Sequence, residues 1–110
     1  MKINDYQQRV DHWIKTYGVR YFDERTNGLI LMEEVGELAR LLARIYGEQS
    51  FKIKIDEKKE LKNEIGDVLF VLTCLANQMN INLEEVIEEN FAKKTLRDNK
   101  RHQNNPKLKE

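Results

Sequence analysis

The sequence predicts an all-α protein built as a four-helix bundle, and three observations lead there. Among 110 residues, 35% are charged and 40% apolar, with one proline and five glycines, a profile that favours helices over a turn-rich β fold. Apolar residues recur at helical spacing through four separate stretches, with no credible strand between them. Helix-starting and helix-stopping residues stand at the ends of those stretches.

The first helix is carried by Tyr6, Val10, Ile14 and Tyr17, with Trp13 beside this ladder and Gly18 in the C-cap role. A short connection through Tyr21 and Phe22 leads to a second helix from about Asp23 to Tyr46, stopped at Gly47. Glu48 to Ile55 has no helical period and reads as a loop. Asp56 then caps a third helix running to about Met79, with Asn80 as its stop. Asn82 and Glu85 form a capping-box-like start for a fourth helix, whose apolar positions are Leu83, Val86, Ile87 and Phe91 and which runs past Arg97.

The third helix sets the expected assembly. Leu61, Ile65, Val68, Leu69, Phe70, Val71, Leu72, Leu75 and Ala76 cover nearly its whole circumference, and a helix apolar all round must be buried on all sides. Three companions of this length barely enclose it, so a homo-oligomer that completes the cover is expected.

At 13.1 kDa the chain is one domain, divided here into a helical domain over residues 1–97 and a basic tail over 98–110. No stretch approaches the roughly 20 apolar residues of a membrane span, and the first residues lack the apolar core of a signal peptide. Cys74, the one cysteine, sits among Leu72, Thr73 and Leu75. It reads as a core residue in a reducing, cytoplasmic setting. Net charge is zero, but residues 93–110 hold seven basic against two acidic residues, a net of +5, leaving −5 for the rest. An acidic body with a basic end suits a polyanion bridged by metal ions, and equally a body with a solvated tail. The neutral balance and the short basic stretch argue against a nucleic-acid partner.

Two segments carry the chemistry: Glu34-Val35-Gly36-Glu37-Leu38 and Glu64-Ile65-Gly66-Asp67-Val68. An acid three residues after Glu occurs four times, also at Glu57/Glu60 and Glu85/Glu88, so spacing alone decides nothing. The setting does. On a helical wheel, Ile30, Leu31, Leu38, Leu41 and Ile45 fall within about 60° of Glu34, while Glu33, Arg40 and Arg44 lie on the polar side. Val68, Val71 and Leu75 share the face of Glu64, and Val71 and Cys74 flank Asp67.

Carboxylates about 5 Å apart repel by roughly 3 kcal/mol at an effective dielectric near 20. Four in a partly apolar groove protonate or recruit metal, and an all-oxygen donor set selects Mg²⁺ or Mn²⁺. A surface cluster neutralised by Lys or Arg is the plainer alternative. Di-iron chemistry is excluded, because neither His12 nor His102 has a Glu three residues before it. Gly36 and Gly66, each inside an acidic pair, suggest a close backbone or ligand approach, or plain helix packing. On the fourth helix, Asn90, Lys93 and Arg97 form a face that could grip phosphates, or a solvated basic one.

The two acidic pairs, separated by 26 residues and set in Leu31-Met32-Glu33-Glu34-Val35-Gly36-Glu37-Leu38-Ala39-Arg40 and Glu64-Ile65-Gly66-Asp67-Val68-Leu69-Phe70-Val71-Leu72, resemble the MazG-like nucleotide pyrophosphohydrolases. The likeness spans roughly Tyr21 to Arg97. It implies a homodimer or homotetramer, with Mg²⁺ held by Glu34, Glu37, Glu64 and Asp67. It also implies hydrolysis of nucleoside triphosphates to monophosphate and pyrophosphate. Lys93 and Arg97 match the ends of the family's Lys-Phe-x-x-Arg signature, and Lys94 replaces its phenylalanine. Glu37, less deep in the apolar stripe, is the expected general base. Asn27, Trp13 and Phe22 are within reach of a ribose or base, although core or cap roles suit each of them. The competing expectation is a catalytically inert helical dimer that binds nucleotide or a partner protein.

Overall fold

A computed structural model describes residues 1–51 and 53–109. Its four α-helices are α1 (Ile3–Trp13), α2 (Glu24–Tyr46), α3 (Glu57–Gln78) and α4 (Leu83–Asp98), followed by a 3₁₀ turn at Pro106–Leu108. No strand occurs among the described residues, as the composition and periodicity predict.

Local side-chain chemistry starts three of these helices. The carboxylate of Asp23 accepts from the Thr26 N–H at 2.8 Å, Asp56 from Lys59 at 3.2 Å, and the Asn82 side chain from Glu85 at 3.1 Å. Each satisfies a donor that the first helical turn leaves without a partner. At the end of α3, Asn80 takes a left-handed conformation with φ of 55°. Its N–H donates to the Asn77 carbonyl, and that of Ile81 to the Ala76 carbonyl. Those two bonds make a Schellman motif, with asparagine where glycine is commonest. Gly47, after α2, is needed for room: a Cβ there would stand 2.5 Å from the Ala43 carbonyl oxygen.

The end of α1 departs from expectation. Beyond Trp13 the helix widens into a π turn over Ile14–Gly18, and the residue that reverses the chain is Val19, not Gly18. Val19 has φ of 72° and ψ of −59°, and the Arg20 N–H donates to the Gly18 carbonyl at 2.9 Å. This is a γ-turn centred on a β-branched residue, a strained arrangement.

The most extensive packing joins α2 to α3, while α1 lies against α3 and α4 against α1. Val10, Leu41, Cys74, Leu75 and Ala76 are buried at these contacts. A polar joint ties α1 to the start of α4. Gln7 donates to the Asn77 side chain and the Ile81 carbonyl, and accepts from the Leu83 N–H. Asn77 donates to the Tyr21 hydroxyl, which itself donates to Asp11 at 2.6 Å.

The bundle is open. Its radius of gyration is 17.8 Å, against about 13 Å for a compact chain of this length. The other three helices leave α3 incompletely covered, with Ile65, Leu69 and Leu72 exposed. Along α2, Leu29, Met32, Val35, Leu42 and Tyr46 are exposed too. With Gly36 and Ala39 they fall on one helix face, a continuous apolar stripe. Outside its own helix, nothing among the described residues lies within 4 Å of a Cβ built on Gly36 or Gly66, so neither glycine serves packing between these four helices.

Candidate metal centre between α2 and α3

Packing α2 along α3 brings two glutamates of one helix to face a glutamate of the other. Glu34, Glu37 and Glu64 each offer a carboxylate oxygen within 4.8 Å of the other two. Glu34 and Glu64 are half-buried and Glu37 exposed, which follows from the wheel positions, since a three-residue step rotates the side chain by about 60°. Asp67, the fourth expected ligand, is exposed on α3 and stands outside this group. Its charge still acts on both half-buried glutamates.

Two oxygens, Glu34 Oε2 and Glu64 Oε2, are buried without a hydrogen-bond partner. Such an atom forfeits its hydration for nothing. Loss of hydration, then the charges of Glu37 and Asp67, raise the proton affinity of Glu34 above that of an ordinary carboxylate. Glu64 is shifted the same way, by loss of hydration first and then by Glu37. None of the three glutamates has an ion pair with Lys or Arg among the described residues, so the neutralised surface cluster does not account for them.

The donor set fits a divalent cation. All donors are oxygen, the choice of hard ions. Opposite oxygens around Mg²⁺ lie roughly 4.2 Å apart and around Ca²⁺ roughly 5 Å. The 4.8 Å span therefore needs only small side-chain rotations.

The remaining sequence candidates stand elsewhere. Lys93 and Arg97 are on α4, which packs on α1, and neither lines the carboxylate groove. Arg97 is engaged by Asp98, with Nη2 at 2.8 Å, and this pairing pulls the Asp98 carboxyl down to about 2. Asn27 is buried and donates to Gln78 Oε1 at 2.8 Å and to the Phe22 carbonyl, clamping the start of α2 to the end of α3. Trp13 lies edge-on to Phe70 with ring centroids 5.6 Å apart, and Phe22 is exposed.

Sequence reasoning passed over Arg40, Arg44 and Phe51. A groove of about 540 Å³ opens beside the carboxylates, and Glu37, Glu64, Arg40 and Arg44 all line it. The Arg44 guanidinium lies 5.9 Å from the centroid of the Phe51 ring. Spacing could have shown the arginines, which follow Glu37 at three and seven residues and so share its face.

The scaffold is all-helical and gathers acidic side chains from two facing helices beside a groove that also holds two arginines. The chain belongs to the MazG nucleotide pyrophosphohydrolase domain family, whose pattern it matches over residues 22–102. It is 42% identical to YpjD of Bacillus subtilis (strain 168) over 99 residues, covering 90% of this chain and 88% of that one. YvdC of the same organism is 35% identical over 61% of this chain and 68% of its own length. Among solved structures, the fold matches YpjD from Bacillus subtilis, described as a candidate pyrophosphatase, with a TM-score of 0.74 and 41% identity. That match covers 84% of this chain and 92% of the other. A Bacillus-conserved MazG protein, described as a nucleotide pyrophosphohydrolase, matches with a TM-score of 0.72 and 35% identity, covering 84% and 88%.

Proposed function

We propose that the protein is a Mg²⁺-dependent nucleoside triphosphate pyrophosphohydrolase, with Mn²⁺ as a substitute ion, converting (d)NTP and water to (d)NMP and pyrophosphate. The observation that carries this reading is the pair of buried, unpartnered oxygens on Glu34 and Glu64 within reach of Glu37. Water adds through its oxygen to the α-phosphorus. The bond from that phosphorus to the oxygen bridging it to the β-phosphorus breaks, and the electron pair leaves with pyrophosphate. A bound divalent ion would neutralise phosphate charge and acidify the attacking water. Glu34, Glu37, Glu64 and Asp67 would hold that ion, Glu34 and Glu64 offering half-buried oxygens and Glu37 and Asp67 exposed ones. Glu37, at the rim, accepts the water proton. Asn27, expected from the sequence to meet ribose or base, instead clamps the start of α2 with its buried amide.

The protein acts as a homodimer or homotetramer in the cytoplasm. The open bundle, the apolar stripe of α2 and the exposed Ile65, Leu69 and Leu72 support assembly. The buried lone thiol, and the absence among the described residues of any helix long and apolar enough to cross a membrane, suit that compartment. Lys93 and Arg97 contribute phosphate contacts only in the assembled protein.

Pyrophosphate release should be measured across canonical and modified triphosphates with Mg²⁺ and Mn²⁺. Turnover that falls at least a hundredfold in Glu34→Gln and in Asp67→Asn is expected. Full activity in either variant would sink the proposal. Tight nucleotide binding without turnover at any divalent ion would instead make the protein an inert nucleotide-binding dimer.

A further inference from the structure

Three acids and two guanidiniums share the groove beside Glu37 and Glu64, yet they do not neutralise one another. Glu37, Glu60 and Glu64 line it together with Arg40 and Arg44. Among the described residues, neither arginine has an ion pair or a side-chain hydrogen bond, although Glu37 and Arg40 stand at the three-residue spacing that favours pairing on a helix. Each guanidinium keeps five N–H donors available. The Arg44 guanidinium lies over the face of Phe51, 5.9 Å from the ring centroid, and Ile53 and Ile55 line the groove beside it. A groove of about 540 Å³ is of the size that small ligands occupy.

Two unpaired guanidiniums next to an unpaired carboxylate cluster call for a ligand that brings both signs of charge, a cation for the acids and an extended anion for the arginines. A metal-bound polyphosphate does so, whereas a base or ribose would leave both guanidiniums unmatched. Along α2, Arg40 lies about 4.5 Å and Arg44 about 10 Å beyond Glu37 at 1.5 Å per residue. The basic groups thus extend in one direction away from Glu37, as successive phosphates do.

Resting on the proposed activity, we infer that Arg40 and Arg44 bind the β- and γ-phosphates of the substrate, the part that leaves as pyrophosphate. Phe51 positions Arg44, and the pair sets the preference for triphosphate over diphosphate. The nucleoside then extends the other way, toward the start of α2.

The test is titration calorimetry of magnesium pyrophosphate and, separately, of a nucleoside monophosphate, with the full chain and with Arg40→Gln, Arg44→Gln and Phe51→Leu. Melting curves check that each variant folds. Pyrophosphate binding should weaken at least tenfold in each arginine variant and severalfold in Phe51→Leu, with monophosphate binding changed less than twofold. Unchanged pyrophosphate affinity in folded arginine variants would overturn the inference, as would an equal loss for the monophosphate or no pyrophosphate binding by the unaltered protein. Arginine-dependent pyrophosphate binding without any hydrolysis would uphold the anion site and overturn the activity. Hydrolysis with arginine-independent pyrophosphate binding would do the reverse.

Discussion

Replacing Glu34 by glutamine should stabilise the metal-free protein while removing its response to divalent ions. The Glu34 oxygen stands within 4.8 Å of oxygens on both Glu37 and Glu64. A unit-charge pair at that distance repels by about 0.9 kcal/mol in water and about 3.5 kcal/mol at an effective dielectric near 20. Glu37 is exposed and belongs near the lower figure, while the half-buried Glu64 lies between the two. Side chains that rotate apart in the absence of metal lower both contributions, leaving a gain of about 1–3 kcal/mol. For a domain of this size that raises Tm by roughly 5–15 °C. The assay is thermal unfolding at fixed protein concentration, in chelator and then in excess Mg²⁺. For the unaltered protein, Mg²⁺ at a hundred times its Kd adds about 2.7 kcal/mol, and for Glu34→Gln it should add much less. A Glu34→Gln protein that melts below the unaltered one in chelator would refute the electrostatic argument. An equal Mg²⁺ gain in both would refute the ligand assignment.

Acidity supplies a second prediction. Glu34 and Glu64 bind protons more tightly folded than unfolded, so their contribution to stability is complete below the unfolded carboxylate value and is lost as pH rises through the raised folded values. Metal-free protein should therefore melt higher near pH 5 than at pH 7.5, and Glu34→Gln should flatten that slope. Val19→Gly should raise stability by about 0.5–2 kcal/mol in denaturant unfolding, relief of backbone strain outweighing the added freedom of the unfolded chain. Gly18→Ala should also stabilise, by about 0.4–1 kcal/mol, because a Cβ there meets only Ile14 at ordinary contact distance. Cys74 is 4% exposed and burial pushes its thiol up to about 11. Iodoacetamide at pH 7.5 should modify it at least a hundredfold more slowly in the native protein than in denaturant, as read by mass spectrometry.

What the sequence revealed and what it hid divide along the range of the interactions. Asp23, Asp56 and Asn82 cap their helices through bonds to a backbone N–H three residues on. Such contacts depend on local order alone and are readable from residue type. The same holds for the depth of Glu34 and Glu64, which the apolar neighbours on each wheel predict. The reversal after α1 was misplaced by one residue. A glycine is the usual stop, but this turn is held from outside the helix by Tyr21, whose hydroxyl reaches back to Asp11 and is met by Asn77. Which exposed acid joins the half-buried pair depends on the register of α2 against α3, and no single-helix pattern fixes that. Arg40 and Arg44 read as ordinary polar-face residues because the other side of their groove comes from Phe51, Ile53 and Ile55, a stretch without periodicity. The periodicity of α3 shows that its faces want cover, and Ile65, Leu69 and Leu72 are left exposed within one chain, but periodicity does not tell which molecule covers them.

The rod α2 has two working sides. Its acids face α3, and its apolar stripe from Leu29 to Tyr46 faces away. Because a helix of 23 residues behaves as a stiff unit, the proposed seating of a second copy on the stripe would also steady the acids on the opposite side. On that reading specific activity is expected to fall when the protein is diluted below the concentration at which copies associate, even though no residue of the site has changed.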